Sequence, residues 1–165
     1  MKRGIVLVMA LLTISAGLAQ EEKPTKRELK DSLKDKCFDI SRSMLLSKRF
    51  KFTASLMNTD NNVVWHGILL NGDYAEIDLP FMGQEFTGSG YGARNTSISF
   101  KGEISNYKLK INQKKKKFQL GFTTKLDGER IKYSFDVDAC GFAYVNVQSD
   151  KRSYVIFDGP IRPLQ

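Results

Sequence analysis

The sequence predicts an α+β domain in which one N-terminal amphipathic helix packs on an antiparallel meander of about eight or nine strands. Three observations carry that expectation. A capped stretch near the N-terminus repeats its apolar residues every three or four positions. From residue 49 onward the repeat switches to two and stays there. Turn-forming residues separate the alternating runs with no helical stretch between them, which favours hairpins over crossovers. A lipocalin-like β-barrel is the alternative architecture. Alternation gives each strand a dry face but does not say whether a helix, a second layer or closure of the sheet covers it.

Residues 1–19 read as a signal peptide. Lys2 and Arg3 precede an apolar run over residues 5–12 that trails into Ile14 and ends in Gly17-Leu18-Ala19, small side chains suited to a peptidase. The run is too short for a spanning helix, which needs about 20 apolar residues. Cleavage after Ala19 leaves about 145 residues, enough for one domain with a single core. The formal charge of +8 includes Lys2 and Arg3, so the mature chain carries 8 − 2 = +6. No cysteine near the cleavage site could take a lipid anchor, so the expected location is periplasmic or secreted. In such a setting a basic excess suits polyanionic envelope surfaces or anionic glycans rather than nucleic acid, or simply keeps a small domain solvated.

Residues 20–48 form a charged lead and the helix. Thr25-Lys26-Arg27-Glu28 has the form of a capping box, in which the threonine hydroxyl and the glutamate carboxylate satisfy reciprocal backbone amides. Leu29, Leu33, Cys37, Ile40 and Met44 then recur as one apolar stripe, with Lys30, Asp31, Lys34, Asp35 and Arg42 on the other faces. The stripe is expected to dock on the domain's own sheet.

Residues 49–165 form the β domain. Phe50, Phe52, Ala54 and Leu56 alternate with Lys51, Thr53 and Ser55, and similar runs follow at 63–70, 74–79, 96–100, 107–111, 118–126, 131–137, 142–147 and 154–157. Turns are signalled at Asp60-Asn61-Asn62, Asn71-Gly72-Asp73, Asp127-Gly128 and Ser149-Asp150-Lys151. The one long irregular stretch, residues 83–95, is rich in glycine and holds Phe86 and Tyr91. Loops of that length tend to be functional.

Catalytic chemistry is poorly supplied, and the expectation is that the protein is not an enzyme. His66 is the single histidine, in an alternating strand, and nothing in sequence pairs it with a nucleophile. It and two cysteines lack metal-ligand spacing, so no metal and no cofactor is expected. Asp136 and Asp138 share a wet strand face with Lys132 and Ser134, where solvation explains them better than a glycosidase pair. Gly88-Ser89-Gly90-Tyr91-Gly92 lacks the strand before and helix after that a phosphate loop requires. The run Lys114-Lys115-Lys116-Lys117 reads as a charged hairpin tip, and Asn95-Thr96-Ser97 matches a glycosylation acceptor only formally. Cys37 and Cys140 are the only cysteines. Joined, they would close a loop of roughly 100 residues, contributing up to about 4.7 kcal/mol in the chain-entropy model. Left apart, they are two buried thiols, and sequence does not choose.

At Leu79-Pro80-Phe81-Met82-Gly83 the chain resembles a bacterial envelope family catalogued as a domain of unknown function, number four-two-five-one. Ser97-Ile98-Ser99-Phe100, Tyr107, the lysine run 114–117, Gly141-Phe142-Ala143 and Asp158-Gly159 follow in the family's order. The chain departs from it in lacking an anchor cysteine and in having Asn95-Thr96-Ser97 where others carry Asp-Gly-Gly. The resemblance implies a Gram-negative envelope setting and supplies no catalytic residue. Physically, Pro80 ends a ladder and Gly83 frees a turn, presenting Phe81 and Met82 at a sheet rim beside Phe86 and Tyr91. These four are the candidate binding residues, with Phe81 as a simple plug of the core being the plainer reading. The expected function is noncatalytic binding in the periplasm, of a small apolar or anionic ligand or an envelope component. The alternative is a protein-interaction or inhibitor-like module using the glycine-rich loop and a sheet edge. Expected partners are an unknown small ligand or envelope protein, with no nucleic acid, no membrane span, and a monomeric or weakly oligomeric state.

Overall fold

Residues 25–55, 66–80, 85–87, 90–92 and 97–164 are described by the structure, a computed structural model; the expected signal peptide lies outside them. Helix α1 (Lys26–Leu46) starts where the capping box places it. The Thr25 amide donates to Glu28 Oε2 at 2.7 Å, and the Glu28 amide returns a bond to Thr25 Oγ1 at 3.3 Å. The Thr25 hydroxyl also donates to Glu28 Oε2 at 2.9 Å, and accepting from the Thr25 amide first and from this hydroxyl second holds the Glu28 carboxyl below the usual range.

The buried face of α1 is not the predicted stripe. Leu29, Leu33 and Ile40 are 50, 63 and 61% exposed, Cys37 is half-buried, and only Met44 of the five is buried. Phe38, Ser41, Met44 and Leu45 face the core instead, a rotation of about one residue, or roughly 100°, for the first two. The reason lies in Ser41, which breaks the apolar pattern yet is only 3% exposed. Its hydroxyl donates to Ala139 O at 3.0 Å, so burial costs it no hydrogen bond. Residues 25–36, three turns, are exposed throughout, and the helix is buried only along its second half.

The strands are β1 (Arg49–Thr53), β2 (Gly67–Asn71), β3 (Tyr74–Leu79), β4 (Glu85–Thr87), β5 (Gly90–Gly92), β6 (Ile98–Glu103), β7 (Ser105–Asn112), β8 (Lys117–Leu126), β9 (Glu129–Val137), β10 (Phe142–Ser149) and β11 (Val155–Pro163). Nine form one antiparallel sheet in the order β6-β3-β2-β1-β11-β10-β9-β8-β7. Each of the nine predicted runs has its counterpart among them. The stretch 83–95, expected to be irregular, instead contributes a small hairpin, β4 against β5, as an excursion between β3 and β6. Its backbones pair despite the glycines because three residues a side suffice for a short ladder.

Every neighbouring pair is antiparallel, so β6 and β7, at opposite edges of the order, run in the same direction. Only Ile104 lies between them. They are therefore two halves of one bent segment, the first half laddered to β3 and the second to β8. The bend is built by Asn106 at φ 56° and a register shift between Ser105 and Lys108. A flat sheet cannot hold both edges on one segment, so this one is strongly curled.

Its interior is a packed core centred on Phe135. Strands β1 and β9 stand three steps apart in the sheet, about 14 Å if it were flat at ~4.8 Å per step. Yet the rings of Phe50 and Phe52 meet Phe135 edge-on at 6.2 and 6.0 Å, and Phe122 reaches it at 5.8 Å. Gly159 permits a further close approach, since a Cβ there would lie 1.9 Å from the Thr53 carbonyl oxygen, and the Ser55 amide donates to Asp158 O at 2.7 Å. At one end of the curl, α1 sits against the mouth. Tyr107 donates to Leu45 O at 2.6 Å, and Phe38 stacks on Phe118.

Candidate functional site

Because α1 is buried only along its second half, its first three turns stand beside the β7–β8 turn and the β9–β10 turn with a groove between them. The groove encloses about 680 Å3, within the range of ligand sites, ~300–1,000 Å3. Arg27, Lys30 and Lys34, spaced three and four apart, place three cations on its helical wall. Lys115, Lys116 and Lys117 supply the opposite wall. Two acids, Asp31 and Asp138, also line it, while Leu33 provides exposed apolar surface and the buried Ala139 lies at its floor.

Each wall is fixed by its own chemistry. Lys116, in the left-handed region at φ 50°, turns the chain out of β7 and forms an ion pair with Asp35 of α1. The Lys115 amide donates to Asn112 Oδ1 at 2.9 Å, closing the turn from within. On the other side, Asp138 organises the β9–β10 turn: the Cys140 and Phe142 amides both donate to its Oδ1 at 2.9 Å. Gly141 follows at φ 85°, where a Cβ would press to 2.9 Å from Ile161 O.

The residues singled out from sequence fall in three groups. Phe81 and Met82 lie outside the described residues. Phe86 and Tyr91 are brought opposite one another as register partners in the β4–β5 hairpin. Cys37 and Cys140, 103 positions apart, both line the groove as free thiols, Cys37 half-buried and Cys140 exposed. Separate burial is thus not their arrangement.

Other residues weighed for chemistry have local roles. His66 Nδ1 lies 3.3 Å from Asp78 Oδ2, across the start of β2. Asp136 accepts from Gln119 Nε2 at 3.1 Å. At the far end of β9, Glu129 is buried with Arg152, whose Nε donates to both carboxylate oxygens at 3.0 and 3.2 Å, and the Ser149 hydroxyl donates to the same carboxylate. A depression of about 670 Å3 beside it is lined by Lys125, Arg130, Asp150 and the same Ser149. The pair's buried charges are spent on each other, whereas the groove beside α1 joins exposed cations to apolar surface.

The groove's cations were the part that sequence reading missed as a site. Two signals were present: the lysine run 114–117 and the basic face of α1. Only the fold sets them against each other.

A curled antiparallel sheet whose mouth is covered by one helix, with a basic groove at their junction, defines a small α+β domain. The chain belongs to the family described as a domain of unknown function (DUF4251), whose model matches residues 20–161. It is similar in fold to the crystal structure of a DUF4251 family protein from Bacteroides eggerthii DSM 20697. That likeness has a TM-score of 0.58 at 14% identity and covers 80% of this chain and 91% of the other. No curated protein matches it in sequence.

Proposed function

We propose that this protein is a noncatalytic binding module of the bacterial envelope that takes an anionic amphiphile in the groove between α1 and the β7–β8 turn. One observation carries the reading: six cationic side chains converge on a groove that also offers the apolar surface of Leu33, 63% exposed. An acidic headgroup would be met by Lys30, Lys34 and Lys115, and its tail would cover Leu33. The start of the family match at Gln20, the residue after the expected cleavage, supports an exported setting. Among the described residues no helix is long and apolar enough to cross a membrane.

Calorimetric titration with dodecyl phosphate, dodecyl maltoside and inorganic phosphate, each below its aggregation threshold, tests the reading. Binding of dodecyl phosphate alone, weakened tenfold or more in Lys30→Glu/Lys115→Glu and by added salt, is the expected outcome. Equal binding of the neutral and anionic amphiphiles, or an unchanged double variant, would refute it.

Protein association is favoured by a separate feature. Phe142, Tyr144, Tyr154 and Ile156 are 38, 58, 68 and 58% exposed on and beside β10 and β11, with the first two rings in edge contact at 5.6 Å. Such patches often mark protein contacts. Sedimentation of the wild type and Tyr144→Lys across concentration would show whether the patch self-associates.

A further inference from the structure

We propose that Cys37 and Cys140 form an intramolecular disulfide in the exported protein, tying the middle of α1 to the β9–β10 turn. The bond goes beyond the ligand reading and does not depend on it.

The two cysteines are brought together by contacts that do not involve sulfur. Ser41 stands one turn after Cys37 on the same side of α1, and its buried hydroxyl holds Ala139 O at 3.0 Å. Ala139 is followed directly by Cys140, so the hydrogen bond sets the register between the helix and the turn. Cys140 cannot drift from that place. Its amide is held by Asp138 Oδ1 at 2.9 Å, and the next residue, Gly141, accepts from the Ile161 amide at 2.6 Å. In this arrangement the Cys140 thiol is within hydrogen-bonding reach of the Cys37 thiol. That contact, with desolvation and the nearby Asp138, pushes the Cys140 thiol up to about 11. Cys140 is exposed and Cys37 half-buried in the wall of an open groove, so an oxidant can reach them.

The oxidant required is a disulfide, of a small thiol or of a thiol-exchange protein. One cysteine loses its proton to solvent and its thiolate attacks a sulfur of that disulfide, expelling the first thiolate. The second cysteine then loses its proton and attacks the mixed disulfide. The Sγ–Sγ bond forms and the second oxidant thiolate leaves. Two S–H bonds are lost and one S–S bond is gained within the protein, while the oxidant takes up two electrons and two protons as two thiols. The high value at Cys140 keeps that thiol protonated at neutral pH and slows whichever step it attacks in.

The test uses the reduced full chain equilibrated with glutathione disulfide, quenched in acid and alkylated, with Cys37→Ser and Cys140→Ser alongside. The wild type is expected to lose both alkylation sites and two hydrogens in mass, and its unreduced digest to yield one peptide pair joining Cys37 to Cys140. Its melting temperature should rise on oxidation and fall back with reductant, a shift absent from either serine variant. The single variants, unable to close the bond, should stop at the mixed disulfide with glutathione. Two alkylated thiols in the equilibrated wild type, or glutathione retained on both cysteines, would overturn the assignment. Because no amphiphile is present, either result leaves the groove reading to its own experiment.

Discussion

The ring of Phe38 stacks on that of Phe118 with centroids 4.7 Å apart and planes 18° from parallel. This contact joins the middle of α1 to the start of β8, and with Leu45 it closes the mouth of the curled sheet. Phe38→Ala should therefore cost about 3 kcal/mol or more, the usual range for a buried aromatic truncated in a core. Leu33→Ala, on the predicted but exposed face, should change stability by less than about 0.5 kcal/mol. Urea unfolding of both variants checks the pair, and a larger loss at Leu33 would mean that the helix docks through its other face.

That rotation shows what a sequence can and cannot disclose. The capping box is local, and Thr25 and Glu28 stand as their spacing predicts. Strand alternation is local too, so Ile131, Tyr133, Phe135 and Val137 point inward as read. The buried face of α1 is decided by a residue 98 positions away from Ser41, and no periodicity carries that information. The pairing of the first strand with the last, Phe52 opposite Ile161, is equally remote from local pattern. The same holds for the groove. Lys34 and Lys115 each look like solvated charge until the fold sets them on opposing walls. Cys37 and Cys140 were recognisable as a pair by count, but their meeting depends on the β9–β10 turn that Asp138 builds.

Gly159 lets β11 pass close to the end of β1. Gly159→Ala places a methyl group 1.9 Å from the Thr53 carbonyl oxygen, a distance that backbone must yield to relieve. The expected loss is about 2–4 kcal/mol, above the entropy gain of about 0.4–1 kcal/mol that alanine brings to an unstrained site. Thermal unfolding is the check. An unchanged melting temperature would mean that β1 and β11 are further apart than the geometry indicates.

The Glu129–Arg152 pair is buried on both sides, with side chains 7 and 11% exposed. Removing the cation should cost more than the pair contributes, because the carboxylate stays behind in a poor solvent for charge. Arg152→Met is expected to lose about 3–5 kcal/mol, and Glu129→Gln in the same chain should recover part of that loss. A double-mutant cycle in denaturant reads the coupling. Strict additivity would show that the two charges do not depend on each other.

Burial raises the phenols of Tyr107 and Tyr133 well above their ordinary value near 10. In the unfolded chain both ionise normally, so the folded state holds more protons above about pH 10, and stability falls as pH rises from there through the folded values. In the reduced chain Cys140, pushed up to about 11, acts with the same sign over a lower window, from the ordinary thiol value to about 11. The stability conferred by these three groups is fully present at neutral pH. Denaturant unfolding between about pH 8 and 12 should show a decline that steepens above 10, with phenolate absorbance for the two tyrosines appearing only with unfolding. Tyr107→Phe separates two effects. It loses the hydrogen bond to Leu45 O, about 1 kcal/mol at neutral pH, but should have a shallower decline in alkali, so the wild type and variant curves converge as pH rises. Parallel curves would show that Tyr107 ionises as freely in the folded protein as in the unfolded chain.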